Sequence, residues 1–187
     1  MIVIGGSLGG SAALNRILAR LPPGFSQPIA VVLHRHRDSE DLITPVLQRA
    51  TTLPVDEAED KEPILPGRVY LCPADYHLLV DEGCFTLSMD DLVSFARPSV
   101  DVLFESAAEW LGPDAIAVVL SGAGTDGSAG ARAILARGGR VLVQDPRSAE
   151  GPWMPTAAAS HPGSRVMTLE EIAAELVSMT KPGGGPA

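Results

Sequence analysis

Three stretches of this chain carry residue types that together make a nucleophile, a base and an acid. The first is residues 1–10, MIVIGGSLGG. Its apolar opening is too short for a helix and runs into glycines, after which Ala12, Leu14, Ile17 and Leu18 recur at helical spacing. The pattern predicts strand, tight turn, helix. Within the turn, Gly5, Ser7 and Gly9 have the G-x-S-x-G spacing, where small neighbours let a serine occupy a strained bend with its hydroxyl held above the sheet. The helix that follows aims unpaired backbone N–H groups at the same spot, ready to receive an oxyanion formed beside Ser7. An anion-binding glycine turn, or Ser7 as a helix cap, fits the same residues. A base and an acid elsewhere in the chain decide between these readings.

The base comes from the second stretch. Ile29–Leu33, IAVVL, is a continuous apolar run of the kind covered on both faces by helices, and it ends in His34, Arg35, His36 and Arg37. Both polar ends fall where open parallel sheets form their ligand crevices. Side chains alternate along a strand, so His34 and His36 share a face, and periodicity does not choose between them.

The third stretch, SGAGTDGSAGA at 121–131, follows another buried run, AIAVVL at 115–120. It supports two readings. Gly122, Gly124 and Gly127 fit G-x-G-x-x-G, with Asp145 at the end of the next predicted strand as the acidic partner of a dinucleotide site. Against this, Asp126 would set a carboxylate where a pyrophosphate must approach, and two negative charges at about 4 Å repel by roughly 1 kcal/mol in water and by more in a drier site. Asp126 serves better as the acid that orients a histidine. The constellation in chain order is then Ser7, a histidine of the second stretch, and Asp126. Asp145 is left as a turn or cap residue.

The elements that must position these residues are those of an α/β domain. Strands are predicted at 1–4, 29–33, 115–120 and 139–144, with a last one near 165–167. Helices are predicted after Ser7, over 41–50 with a break at Pro45, over 100–111 with Ser99 as cap and Asp101 favouring the helix dipole, and over 169–179 capped by Thr168. Short strand-like pieces at 54–57, 68–72, 77–80 and 84–87 read as an antiparallel insertion or edge hairpins. Residues 146–158 read as a loop. The expectation is a doubly wound, mostly parallel sheet with helices on both faces and an antiparallel hairpin insertion. Residues 1–180 make one domain and 181–187, KPGGGPA, a frayed tail.

Composition narrows the partners. The net charge of −9 argues against a nucleic acid backbone as ligand. There is no apolar run of the ~18 residues a membrane span needs and no basic-then-apolar leader, which makes the cytoplasm the default. The cysteines, Cys72 and Cys84, lack metal-ligand spacing and read as packed, reduced thiols; no metal or cofactor is expected.

These stretches closely resemble the catalytic domain of the bacterial chemotaxis protein-glutamate methylesterases. The matching pieces are IGGSLGG (4–10), AVVLHRH (30–36), EAEDKEPILPGRVYLCPADYHL (57–78), RPSVDVLFESAA (97–108), AVVLSGAGTDGSAGA (117–131) and VQDPRSAEGPWMP (143–155), nearly the whole chain in family order. The resemblance implies Ser7 as nucleophile, His36 as base and Asp126 as acid, with backbone donors at Leu8, Gly9 and Ala123. It also implies a doubly wound parallel sheet bearing the triad at its C-terminal edge. The implied activity is hydrolysis of glutamate methyl esters, and deamidation of glutamines, on methyl-accepting chemotaxis receptors or similar signalling proteins. Three positions depart from the family pattern: Leu8 stands for threonine, Ala123 for methionine and Arg35 for glutamine. A binding module that kept the fold and lost catalysis would show such changes. Familiar members carry an N-terminal receiver domain, whereas this chain begins in the first catalytic strand, as a stand-alone enzyme or an excised domain would. Arg35 and Arg97 are expected to form a basic rim for an acidic receptor helix.

Overall fold

The structure, a computed structural model, describes residues 1–35 and 43–179. The chain runs β1 (Ile2–Gly6), α1 (Gly10–Leu18), β2 (Ile29–Leu33), α2 (Ile43–Gln48), β3 (Val55–Glu57), β4 (Val69–Leu71), β5 (His77–Asp81), β6 (Cys84–Ser88) and α3 (Val100–Leu111). It continues through β7 (Ile116–Val119), α4 (Ser128–Ala136), β8 (Arg140–Gln144), α5 (Trp153–Ala159), β9 (Arg165–Met167) and α6 (Leu169–Ser178). Seven strands form one parallel sheet in the order β3-β4-β2-β1-β7-β8-β9, and β5 and β6 pair antiparallel apart from it. From β1 the chain winds outward first through β2, then returns to the other side of β1 at β7. The C-terminal ends of β1, β2 and β7 therefore meet at the point where the winding reverses, where such sheets bind ligands.

Alternation along the central strands builds a core on each face. Ile2, Ile4, Ile29, Val31, Ile116 and Val118 pack with α1, α2 and α6, while Val3, Ala30, Val32, Ala117 and Val119 pack with α3, α4, α5 and the β5–β6 hairpin. The expected double winding is thus present. Thr168 caps α6 as predicted, its hydroxyl accepting the Glu171 N–H while the Glu171 carboxylate accepts the Thr168 N–H.

Two expectations about the middle and the end of the chain are corrected. The pieces at 54–57 and 68–72 do not join the antiparallel insertion; β3 and β4 extend the main sheet in parallel, with β4 seated on β2 through Ile29 N–H to the Arg68 carbonyl (2.9 Å) and Cys72 N–H to the Val31 carbonyl (2.8 Å). The segment joining them returns across the β5–β6 hairpin instead, with Lys61 and Ile64 donating to Phe85 and Gly83 carbonyls. Three-residue strands carry too little alternation to reveal their partners. The second correction is α5, within the stretch read as a loop. Pro155 falls in its first turn, where a missing N–H costs no intrahelical bond, and Ala157, Ala158 and Ala159 propagate the helix.

Candidate active site

Asp126 leaves β7 through the glycine turn and places its carboxylate at the N-terminal end of α3. One oxygen, Oδ1, accepts the Ser99 hydroxyl (2.8 Å) and the Asp101 N–H (2.9 Å); Oδ2 accepts the Val100 N–H (2.7 Å) and bonds His34 Nε2 at 2.6 Å. Unpaired N–H groups and the helix dipole favour an anion there. Burial works to raise the Asp126 pKa, but the bonds from His34, Asp101, Val100 and Ser99 outweigh it and hold the carboxyl below its ordinary value. Ser99 was expected to cap α3. It makes no such side-chain bond, and its hydroxyl is given to Asp126. Capping and carboxylate binding ask for the same residue at the same place, so sequence alone does not separate them.

Close packing makes this shelf. A Cβ added at Gly5 would lie 2.1 Å from Val100 Cγ1, so the last turn of β1 lets the start of α3 come down onto the sheet. Asp101 is buried, and its carboxylate accepts the Gly130 N–H of α4 at 2.8 Å. Burial, and secondarily the charge of Asp126, push the Asp101 carboxyl up to about 6 against that bond. A folded-state value above the unfolded one means that Asp101 weakens the fold progressively as pH rises from about 4 through 6. Asp101→Asn keeps the acceptor oxygen and removes the charge. Its Tm relative to the parent is expected to be higher at pH 8 than at pH 4; an equal difference at both would show that Asp101 titrates normally.

Among the described residues, His34 is the imidazole bonded to Asp126. Its backbone N–H donates to the Gly6 carbonyl at 3.1 Å, which carries the β1–β2 pairing one residue past the strand and sets residue 34 beside the Ser7 turn. His36, to which the family resemblance gave the base role, lies outside the described residues. Among the described residues each Asp126 oxygen has two partners, His34 being one of those on Oδ2.

Ser7 is half-buried directly after β1, its N–H bound to the Ser121 carbonyl at 2.9 Å. Its hydroxyl bonds no group among the described residues. Ser121, buried and unremarked in the sequence, ties the surrounding loops together. Its hydroxyl donates to the Leu8 carbonyl (2.6 Å) and accepts the Gly151 N–H (2.8 Å), while its N–H donates to the Gln144 side chain (2.8 Å). The Leu8, Gly9 and Ala123 N–H groups donate to nothing among the described residues. Leu8 and Gly9 follow Ser7 directly, and a Cβ added at Gly122 would fall 2.9 Å from Ser7 Cβ, which sets Ala123 close to Ser7. The dinucleotide reading fares worse. The Gly122 N–H and carbonyl are taken by Gly151 and Met154, Asp126 is buried within the turn, and Asp145 pairs with Arg147.

A cavity of about 730 Å³ opens beside His34, lined also by Asp75, Asp91, Leu92 and Phe95. Arg35 and Arg97 border it, but the expected basic rim is not what they form. Arg35 is almost wholly covered, its guanidinium on Glu57 and the Cys72 carbonyl. Arg97 binds Asp75 and the carbonyls of Met89 and Asp90. Their charges are spent on fixing the cavity walls. At its lip, Val93 and Ala96 exchange backbone hydrogen bonds around Ser94 and Phe95, both at positive φ (53° and 63°). That backbone costs a non-glycine residue about 1 kcal/mol or more. Cys72, far from any partner cysteine role, is buried with its thiol pKa pushed up by burial, the mark of an inert side chain. Among the described residues no His, Cys, Asp and Glu cluster is placed to hold a metal, and no helix is long and apolar enough to cross a membrane.

The family model for CheB methylesterase matches residues 2–176. The chain belongs to that family. As a CheB methylesterase family member it is a carboxylic ester hydrolase. It is 41% identical over 174 residues to the provisionally named protein-glutamate methylesterase/protein-glutamine glutaminase of Leptospira interrogans, covering 92% of this chain and 90% of that one. It is 39% identical over 187 residues to protein-glutamate methylesterase/protein-glutamine glutaminase 4 of Myxococcus xanthus, covering 99% of this chain and 53% of that longer one. The crystal structure of the Thermotoga maritima CheB methylesterase catalytic domain superposes with a TM-score of 0.91 at 34% identity, over 96% of this chain and 97% of that one. The family fold, a parallel sheet with a separate antiparallel hairpin, is the fold seen here.

Proposed function

We propose that this chain hydrolyses the methyl esters of glutamate side chains on methyl-accepting chemotaxis receptors or similar signalling proteins, with Ser7 as nucleophile, His34 as base and Asp126 as orienting acid. The observation that carries this reading is the His34–Asp126 bond beside the Ser7 turn at the switch point of the sheet. The reading takes His34 as base; His36, given that role by the family resemblance, lies outside the described residues. With Nε2–H given to Asp126, Nδ1 is the ring nitrogen left to receive the Ser7 proton, the reverse of the usual use of the two nitrogens. The mechanism requires a Ser7–His34 hydrogen bond in the substrate complex, where catalytic hydrogen bonds that are long in the free enzyme tighten.

In the reaction, Ser7 Oγ attacks the ester carbonyl carbon as His34 takes its proton. The oxyanion is received by N–H groups of Leu8, Gly9 and Ala123. The tetrahedral adduct collapses, the C–OCH3 bond breaks, and His34 returns the proton to the departing methoxide, giving methanol and an acyl-serine. Water, deprotonated by His34, then attacks the acyl carbon; Ser7 regains its proton and the glutamate carboxyl is released, ionising in solution. With a glutamine side chain the same steps release ammonia, an activity carried in the relatives' names. A protein of net charge −9 repels the new carboxylate and so favours its release. The reading places the enzyme in the cytoplasm, with residues 1–180 as one catalytic domain.

The test is a burst. Mixing the chain with p-nitrophenyl acetate is expected to release about one equivalent of nitrophenol per protein at once, with an acetyl group found on Ser7 by mass spectrometry. No burst and no adduct would identify a silent binding module instead.

A further inference from the structure

We infer that the hairpin at 89–97 is a docking lip for a polypeptide substrate, with Phe95 as its anchor, and that it fits a segment whose uncharged glutamyl ester is flanked by aliphatic side chains. The inference rests on the esterase reading for the ester and on the following features for the flanks. Two-residue hairpin turns of this hand ordinarily use Asn-Gly, because both central residues need positive φ. Here Ser94 and Phe95 occupy them, and Phe95 is 100% exposed. A large ring held in a disfavoured backbone conformation and covered by nothing among the described residues makes no contribution to the core. Met89 and Leu92, 61% and 59% exposed, extend the same apolar lip.

The lip is held firmly. Arg97 donates to the Met89 and Asp90 carbonyls and to Asp75, and buried His77 bonds the Asp91 carbonyl through Nε2 (3.1 Å) while its Nδ1 accepts the Ser99 N–H (3.2 Å). The same Ser99 gives its hydroxyl to Asp126, so the lip and the acid of the site are braced against one another. Leu92 and Phe95 line the cavity that His34 lines, which makes the apolar surface continuous with the proposed site. Its charge also selects. Asp90 and Asp91 are exposed with no cation in ion-pair reach among the described residues, and the Arg97 charge is matched by Asp75. A surface of this sign takes the neutral ester in preference to the carboxylate product.

The probe is a pair of synthetic peptides with a central glutamyl methyl ester, one flanked by leucines and the other by serines. The intact chain is expected to favour the leucine-flanked ester about ten-fold in kcat/KM, as a buried aromatic anchor does. The preference should vanish in Phe95→Ala and in the double variant Ser94→Asn/Phe95→Gly, which keeps the turn and removes the ring. The same ratio, measured as Kd in a Ser7→Ala background, reads the lip without catalysis. A parent that hydrolyses neither peptide but binds the leucine-flanked one more tightly would sink the esterase reading and leave the lip standing. No preference in the parent, or a preference retained when the ring is gone, overturns the proposal.

Discussion

In a Ser7→Ala variant, methanol release from methylated receptor is expected to fall about 10⁴-fold or more, with the melting temperature little changed. The size follows from losing the group that forms the covalent intermediate, since what survives is only the rate that oriented donors give to direct attack by water. The unchanged stability follows from the structure. The Ser7 hydroxyl bonds nothing among the described residues, whereas its N–H, which alanine retains, makes the bond to Ser121. Activity within ten-fold of the parent would remove Ser7 from the mechanism. Loss of fold along with activity would instead mean that the turn depends on the hydroxyl.

The second large effect separates the two histidines. His34→Ala should lower methanol release about 10³-fold or more, and His36→Ala less than ten-fold. His34→Ala also takes away the strongest of the bonds that oppose burial of the Asp126 charge. The Asp126 carboxyl lies below its unfolded value, so its stabilising effect is whole at neutral pH and is lost as pH falls through the folded pKa. Without His34 that pKa rises, and acid unfolding should begin at a higher pH than in the parent. A His36→Ala variant with the larger loss of activity and the raised acid limb would return the base role to His36.

The elements that hold the site were legible because parallel strands buried on both faces are written as unbroken apolar runs. Residues 29–33 and 115–120 read as strands for that reason, and the glycine turns after residues 4 and 120 marked where the chain would bend toward helices. Ser7 and Asp126 became candidates through those turns. The histidine did not, because alternation gives residues 34 and 36 the same face, and which of them a carboxylate from another strand reaches is not written in either residue's neighbours. Ser121 and Ser99 were hidden for a related reason. A serine that ends a strand or begins a helix looks the same whether it caps the backbone or bonds a distant group. Arg35 and Arg97 were read as surface charges because their partners, Glu57 and Asp75, lie 22 residues away in sequence in each case. Family resemblance supplied the reaction and the His36 assignment; the His34–Asp126 bond is what supports the proposal of His34 in that role.

Asp126 answers to two requirements at once. It steers an imidazole, and it also satisfies the amides that open α3 and thereby joins that helix to the turn after β7. A descendant of this chain that abandoned ester chemistry would still need the aspartate to join α3 to that turn, while nothing among the described residues would hold on to the serine hydroxyl. Surveys that look for retired enzymes among such descendants should therefore track the nucleophile, since the acid will persist long after turnover has ceased.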